Sequence, residues 1–203
     1  MDAGEAALVL ARARQGDEDA FRALVDVHSR AAFRLAYRLM RDERDAEDVV
    51  QESFIRAHRR LPSFEARANF GTWLHRIIVN CALDALRSRD GRGGQRREAA
   101  VEVPDTLAFD GPSPERLARS AEIARRVDES MAMLTPQERV AFTLRHQEGR
   151  SIEDIGVALG IQQSAAKHAV FRAVKKLRAA LEPLRPSTSA PDVLSGVDGR
   201  RDV

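Results

Sequence analysis

The sequence predicts an all-α protein with two small helical domains joined by a flexible linker, the second domain containing a helix-turn-helix. Three observations predict this fold class. Apolar residues recur at three- and four-residue steps from about residue 5 to 88 and again from about 115 to 181, which is the period of an amphipathic helix. Aromatic residues make up only 5% of the chain, and its many Ala, Leu and Arg residues favour helix over sheet. Residues 89–114 break the pattern with Gly, Pro and charged residues, a composition typical of a linker.

The composition argues against several classes of protein. A chain of 203 residues with 43% hydrophobic and 32% charged residues can form one or two globular domains. No apolar run approaches the roughly 18 residues that span a bilayer, and the N-terminus carries acids where a secretory signal has bases. Cys81 is the only cysteine, which excludes an internal disulfide and a multi-cysteine metal site. We therefore expect a cytoplasmic protein.

The distribution of charge is more informative than the formal net charge of +2. Acidic residues cluster in residues 42–52, and basic residues cluster in 87–97 and again in 167–185. One acidic surface and two basic ones indicate two kinds of partner.

The first domain, residues 1–88, is predicted to be helical almost throughout. Its apolar residues repeat with the helical period, interrupted by short breaks. Pro62 stops the third of the main helices, because proline cannot continue a helix. The main predicted helices cover approximately residues 20–28, 32–41, 45–61 and 70–88.

The second domain, residues 115–184, has clearer helix start signals. In the stretch TPQE at 135–138, the threonine can cap a helix, the proline fits the first helical position, and the glutamate can reach back to the cap. Ser151 and Asp154 open the next helix in the same way. Residues 185–203, beyond the last helix, are predicted to be disordered.

Residues 151–181 are predicted to form a helix-turn-helix that binds double-stranded DNA. Gly160 tolerates the positive φ that the sharp turn requires. Such a motif places its second helix in the major groove, where Arg172 can pair with a guanine edge and Lys175 with phosphate. Phe171 can contact a thymine methyl or complete the core, and a merely solvated basic face is the alternative for the whole helix. The candidate DNA-binding residues of this helix are Lys167, His168, Phe171, Arg172 and Lys175.

Three stretches of the sequence carry a family resemblance. They are DAEDVVQESFIRAHRRLPSF at 45–64, FGTWLHRIIVNCALDALRSR at 70–89 and LTPQERVAFTLRHQEGRSIEDIGVALGI at 134–161. Together they closely resemble bacterial sigma factors of the extracytoplasmic-function (ECF) group, the smallest members of the sigma-70 family. The resemblance implies that the first domain docks on core RNA polymerase and opens the −10 promoter element. It also implies that the second domain reads the −35 element as a duplex, and that the protein performs no chemistry itself.

The resemblance also implies roles for individual residues of the first domain. The residues expected at the polymerase are Asp48, Val49, Gln51, Glu52 and Phe54. The residues expected at the −10 element are Phe64, Arg76, Asn80 and Arg87. Acids at the start of a helix whose end is basic are also explained by the helix dipole alone. Trp73 is predicted to pack between helices rather than on a base, and Asp84 would repel phosphate.

The helix-turn-helix departs from the family's usual sequence after the turn. Ala165, Ala166 and Ala169 stand where the family run resembles threonine, valine and arginine, and Gly156 stands where alanine is commoner. Two small residues at the helix crossing predict closer packing of the two helices. Fewer polar groups at the groove predict a different or less stringent −35 sequence.

The expected partners are core RNA polymerase and promoter DNA, and the family often uses an anti-sigma factor, commonly membrane-anchored. No cofactor or metal is expected. An ordinary repressor or activator with a ligand-sensing or dimerising first domain is one alternative, but such a domain has no reason to contain the stretches 45–64 and 70–89. An enzyme is another, but the five histidines lie on separate helices. The GRGG at 91–94 also lacks the glycine–lysine–serine/threonine ending of a phosphate loop.

Overall fold

The computed structural model describes residues 3–65, 69–91 and 114–182. Within these ranges the chain forms α-helices and one short 3-10 helix at Leu61–Ser63, with no β-strand. The all-α prediction is confirmed. The helices are α1 (Ala3–Arg14), α2 (Glu18–Met40), α3 (Glu43–Arg60), α4 (Phe70–Gly91), α5 (Pro114–Ala132), α6 (Pro136–His146), α7 (Ile152–Leu159) and α8 (Gln163–Leu181).

α2 is one continuous helix of 23 residues, where the sequence pattern predicts two helices with a break near residue 30. That prediction is wrong because neither Gly nor Pro interrupts this stretch. Ser29, which is poorly suited to a helix interior, donates its hydroxyl to the carbonyl oxygen of Asp26 at 3.3 Å. The helix ends at Arg41, which adopts the left-handed conformation with φ of 60°.

α3 and α4 complete the first domain. α3 ends at Arg60, and Pro62 lies in the short 3-10 helix that follows, as its sequence predicts. Asn69 caps α4 by accepting a hydrogen bond from the amide of Thr72 at 2.7 Å. α4 continues to Gly91, beyond the predicted end at residue 88. The rest of the predicted linker, residues 92–113, and the predicted tail lie outside the described residues.

The second domain contains both predicted capping boxes. In α6 the hydroxyl of Thr135 accepts from the amide of Glu138 at 3.3 Å, and the carboxylate of Glu138 accepts from the amide of Thr135 at 3.1 Å. Ser151 and Asp154 make the same reciprocal pair at the start of α7. Gly160 ends α7 with φ of 65°, a conformation that glycine adopts at little cost.

The two domains pack directly against each other. α4 lies against α6 and α7, and α2 contacts α6. Buried apolar residues of α2, α3 and α4 form one continuous cluster with those of α6, α7 and α8. Two partly exposed ion pairs, Arg38 with Glu148 and Arg41 with Asp128, cross the same boundary. The sequence pattern, which predicts a flexible linker between the domains, gives no sign of this contact.

Candidate nucleic-acid interface

α7 and α8 form the predicted helix-turn-helix with a close crossing. A Cβ atom added to Gly156 would lie 3.0 Å from the carbonyl oxygen of Ile161 and 3.6 Å from the amide nitrogen of Gln163. The turn itself is closed by a hydrogen bond of 2.9 Å from the amide of Ile161 to the carbonyl of Gly156. The predicted closer packing at Gly156 is confirmed, because even a methyl group would need the turn to move.

The outer face of α8 carries the five candidate DNA-binding residues. The inner face packs Ala166, Ala169, Ala173 and Leu177 into the core. Phe171 is 69% exposed, so its ring does not complete the core, and only the alternative of a surface contact remains for it. We name the exposed set the α8 surface. It consists of Lys167, His168, Phe171, Arg172 and Lys175, all exposed.

Arg172 is held in place by a carboxylate from another helix. Its Nε donates to Glu138 at 3.1 Å, and the Nζ of Lys176 donates to the same carboxylate at 2.7 Å. The side chain of Glu138 is only 4% exposed, whereas that of Arg172 is 53% exposed. Glu138 therefore orients the guanidinium of Arg172 while leaving much of it in contact with solvent.

The electrostatics of Glu138 favour its ionised form. Burial raises its pKa, but hydrogen bonds from Lys176, the Thr135 amide and Arg172 outweigh burial, and the pKa is lowered from its ordinary value. The sequence pattern indicates only a capping role for Glu138. The missed signal is the four-residue spacing of Arg172 and Lys176, which places two cations on one side of α8.

One sequence-based interpretation of the turn is wrong. The sequence predicts that Ala169 removes a polar group from the groove face, but Ala169 is 0% exposed and lies in the core. Its small size serves packing between α8 and the rest of the domain. Ala165, by contrast, is exposed on the outer face of α8. An alanine in place of the family's threonine-type residue therefore removes a hydroxyl from that face.

α3 presents an acidic surface, which we name the α3 surface: Asp48, Gln51 and Glu52. Asp48 and Gln51 are exposed, and the side chain of Glu52 is 46% exposed while accepting a hydrogen bond from Arg56 at 2.6 Å. Two residues assigned to polymerase docking by resemblance do not lie on this surface. Val49 is 3% and Phe54 9% exposed, so both support the helix from the core instead of offering a contact.

α4 presents a polar surface, which we name the α4 surface: Arg76, Asn80 and Arg87, all exposed. The amide nitrogen of Asn80 donates to the carbonyl oxygen of Arg76 at 2.9 Å, which ties the side chain to its own helix. Asp84 on the same helix receives a hydrogen bond from Arg56 of α3 at 3.0 Å. Hydrogen bonds from Arg56 to Glu52 and Asp84 raise the pKa of its guanidinium. Arg56 therefore partly compensates the charge of Asp84, whose side chain stays 54% exposed.

Phe64 is not available for stacking on a base in this structure. It is 6% exposed, and its ring lies 4.8 Å from that of Trp73, centroid to centroid. Trp73 in turn lies 5.7 Å from Phe70. Trp73 is partly buried and packs against the core, whereas Phe64, which the resemblance places at the −10 element, is itself buried. Residues 66–68 of the same loop lie outside the described residues.

Neither a metal centre nor a membrane span is found in the part of the chain that the structure describes. Among its His, Cys, Asp and Glu side chains, no group of three could hold a metal ion. None of the described helices combines the length and the hydropathy that crossing a membrane requires.

Comparison with known families matches both domains. The family described as Sigma-70 region 2 matches residues 24–92, and that described as Sigma-70, region 4, matches residues 121–177. The first range contains the α3 and α4 surfaces, and the second contains α6, α7 and most of α8.

Individual proteins agree with the family match. The chain is 36% identical over 155 residues to the ECF RNA polymerase sigma factor SigE of Mycolicibacterium smegmatis, covering 76% of this chain and 59% of that protein. It is 34% identical to the RNA polymerase sigma-H factor of Pseudomonas aeruginosa, covering 85% and 92% of the two chains. It is 30% identical to the ECF sigma factor SigW of Bacillus subtilis, covering 84% and 94%.

A solved structure has the same architecture. CnrH, determined in complex with the cytosolic domain of CnrY, superposes with a TM-score of 0.59 at 28% identity, covering 87% of this chain and 96% of that one. Two domain matches, two relatives covered over more than nine tenths of their length and a shared fold therefore agree. The chain belongs to the ECF group of the sigma-70 family, the RNA polymerase sigma factors that direct promoter-specific transcription.

Proposed function

We propose that this sigma factor docks on core RNA polymerase through the α3 surface and holds promoter DNA at two places, the −10 element on the α4 surface and the −35 element on the α8 surface. One observation carries the proposal furthest. The α8 surface is exposed and contains no acidic residue, while the opposite face of helix α8 is packed into the core. A helix with this division presents its basic side to a groove without loss of core contacts.

The α8 surface has groups suited to both kinds of DNA contact. Lys167 and Lys175 are exposed cations that can neutralise phosphates, which contributes affinity without sequence information. Arg172 can present its terminal nitrogens to a guanine edge because Glu138 engages its Nε. The exposed ring of Phe171 can contact a thymine methyl. We infer that Arg172 and Phe171 provide the sequence preference of this surface.

The α4 surface suits a strand whose bases are accessible. Arg76 and Arg87 are exposed donors for phosphate, and Asn80 lies between them on the same face. Asp84 is paired with Arg56, so its charge opposes a nearby phosphate less than that of a free carboxylate. Phe64 supports this surface indirectly. Its ring packs on Trp73 and so holds the start of α4 in place, rather than stacking on a base.

The remaining parts of the proposal concern partners and place. The α3 surface offers carboxylates to a basic region of the polymerase, and complementary charge of this kind speeds and orients docking. We propose that the protein acts in the cytoplasm, where its polymerase is, and that it performs no chemical step itself.

CnrH, its structural neighbour, was determined with the cytosolic domain of CnrY. By analogy we propose that a cytosolic anti-sigma segment also binds this chain.

Transcription with purified core polymerase tests the proposal. Run-off transcription from a promoter selected by the protein should depend on its addition, and core polymerase should retain it in a pull-down. Asp48→Ala should weaken retention by polymerase, whereas Asp26→Ala, a change of the same type on the exposed part of α2, should not. Absence of retention for the wild type would overturn the assignment of the α3 surface.

A further inference from the structure

A cavity of about 360 Å³ lies where α2, the start of α4 and the residues after α6 meet. Small residues leave it open: Ala31 and Ala32 of α2 and Gly71 of α4 are part of its wall. A Cβ atom added to Gly71 would lie 3.2 Å from the Cε1 of His28, so a larger residue there would narrow the cavity. Its volume is at the lower end of the range of small-molecule sites.

Positive charge dominates the wall of this cavity. Arg34, Arg38 and Arg150 line it together with one acid, Glu148, which leaves an excess of two positive charges. Glu148 is paired with Arg38. Neither Arg34 nor Arg150 forms an ion pair with another described residue, although Asp154 interacts with Arg150 electrostatically from a longer distance. Two guanidinium groups at the cavity therefore have no carboxylate bound to them.

Two of the lining side chains are incompletely satisfied. Arg150 and His75 are half-buried, and the Arg150 Nε and the His75 Nε2 are buried with no hydrogen-bond partner among the described residues. A guanidinium that loses part of its hydration without gaining a counter-ion is destabilised. Burial lowers the pKa of His75 and the charge of Arg150 lowers it further, against the charges of Glu148 and Asp154. An anion in the cavity would offset both effects.

The side chains present select the chemistry of that anion. Guanidinium groups bind phosphate through charge-assisted hydrogen bonds, often two at a time. The exposed hydroxyl of Thr72 is a further donor on the wall. Among the described residues no Phe, Tyr or Trp lines the cavity, so a nucleobase would lack the aromatic platform on which bases usually stack. The wall suits a compact phosphate better than a nucleotide.

We propose that this cavity binds a small phosphate anion, either inorganic phosphate or the monoester of a small alcohol, with Arg34 and Arg150 as its principal contacts. The bound anion would touch residues of both domains, because Arg34 belongs to α2 and Arg150 follows α6. None of the lining residues belongs to the α3, α4 or α8 surface. The site is therefore separate from the proposed contacts with polymerase and DNA and does not depend on them.

Histidine resonances test the site directly in the full chain. His28 and His75 line the cavity, whereas His58, His146 and His168 do not. Sodium phosphate, added at constant pH and ionic strength by exchange for chloride, should shift the ring signals of the first two along one saturable curve. We expect a dissociation constant on the order of 1 mM. His168 lies on the basic α8 surface and reports binding to surface charge in general. No saturable shift of the two cavity histidines, or an equal shift of His168, would overturn the proposal.

Substitutions at the cavity give an independent test. Arg34→Gln and Arg150→Gln should each weaken phosphate binding about tenfold, because each removes a charged hydrogen-bond donor. Arg30→Gln is the matched control, since Arg30 is exposed one turn before Arg34 and does not line the cavity. Ala31→Leu should also weaken binding, by filling space without changing charge. Circular dichroism reports whether each variant keeps its helices.

The pattern across these variants decides between a built site and surface charge. Arginine variants that bind phosphate like the wild type would refute the proposal, and so would an equal loss in Arg30→Gln. A second titration, with glycerol 3-phosphate, separates the two sources of the phosphate group. Tighter binding of the ester assigns the site to a phosphate monoester, and equal or weaker binding assigns it to inorganic phosphate. These measurements involve neither DNA nor polymerase, so their outcome is independent of the proposed function.

Discussion

Glu138 offers a sharp test of how the helix-turn-helix is held together. Glu138→Gln keeps the size of the side chain and an oxygen that can accept from the amide of Thr135, but it removes the charge that faces Arg172 and Lys176. Hydrogen bonds involving a charged group contribute about 1.5–3 kcal/mol each, and neutral ones about 0.5–1.5 kcal/mol. Arg172 and Lys176 are 53% and 41% exposed, so water partly replaces what they lose. We expect Glu138→Gln to lower the free energy of unfolding by about 1–2 kcal/mol.

Glu138→Ala should cost more, because it also removes the capping interaction, which contributes about 1 kcal/mol. The expected loss is therefore about 2–3 kcal/mol. Urea denaturation of the full chain, followed by circular dichroism, measures both values from the midpoint and slope. Glu153→Gln on the exposed side of α7 is the matched control and should change stability by less than about 0.5 kcal/mol. If Glu138→Gln behaved like this control, the two ion pairs would contribute nothing beyond the cost of burying the carboxylate.

The remaining predictions concern pH, DNA binding, packing and docking. The pKa of Glu138 is lowered in the folded state from an ordinary value of 4.5, so its stabilisation is complete above about pH 4.5 and is lost as pH falls through the folded value. The stability difference between wild type and Glu138→Gln should therefore be constant near neutral pH and shrink below that point, and a difference that grows in acid would contradict this. Arg172→Ala should relax one position of the −35 element in a binding-site selection, whereas Lys175→Ala should weaken all sequences alike and reduce the salt slope by about 1. Gly156→Ala should destabilise the protein by about 1–3 kcal/mol, in spite of the higher helix propensity of alanine, because the added Cβ meets the Ile161 carbonyl; a stabilised variant would refute the close crossing. Asp48→Ala should weaken retention by polymerase and leave DNA binding by the full chain unchanged, and loss of both would indicate unfolding.

Local signals predicted the parts of the structure that depend on neighbouring residues. The capping boxes at Thr135 and Ser151 and the turn at Gly160 need only a few consecutive residues, so their chemistry is visible in the sequence. The break predicted near residue 30 is absent because a single serine does not interrupt a helix that has tertiary support on both sides.

Contacts between distant residues could not be predicted in this way. Val49 and Phe54 lie on α3, where polar and apolar residues follow each other closely in the sequence. Both are buried because α3 packs against other helices, and the sequence of α3 alone does not show this. Phe64 is buried in the core and contacts Trp73, which lies beyond the loop. The ion pairs between the domains join residues 87 and 110 positions apart in the chain. Nothing in a single sequence links such positions, since their pairing depends on how two separately folded domains meet.

The position of Arg56 has a consequence for how the first domain responds to a partner. Its guanidinium is bonded at once to Glu52 of the α3 surface and to Asp84 on α4. A cation of another protein that engaged Glu52 would compete with Arg56 for that carboxylate. Arg56 would then be left to Asp84 alone, and the charge compensation next to the α4 surface would change without any helix moving. A partner bound to the α3 surface would thus alter the charge next to the α4 surface, because Arg56 contacts carboxylates at both.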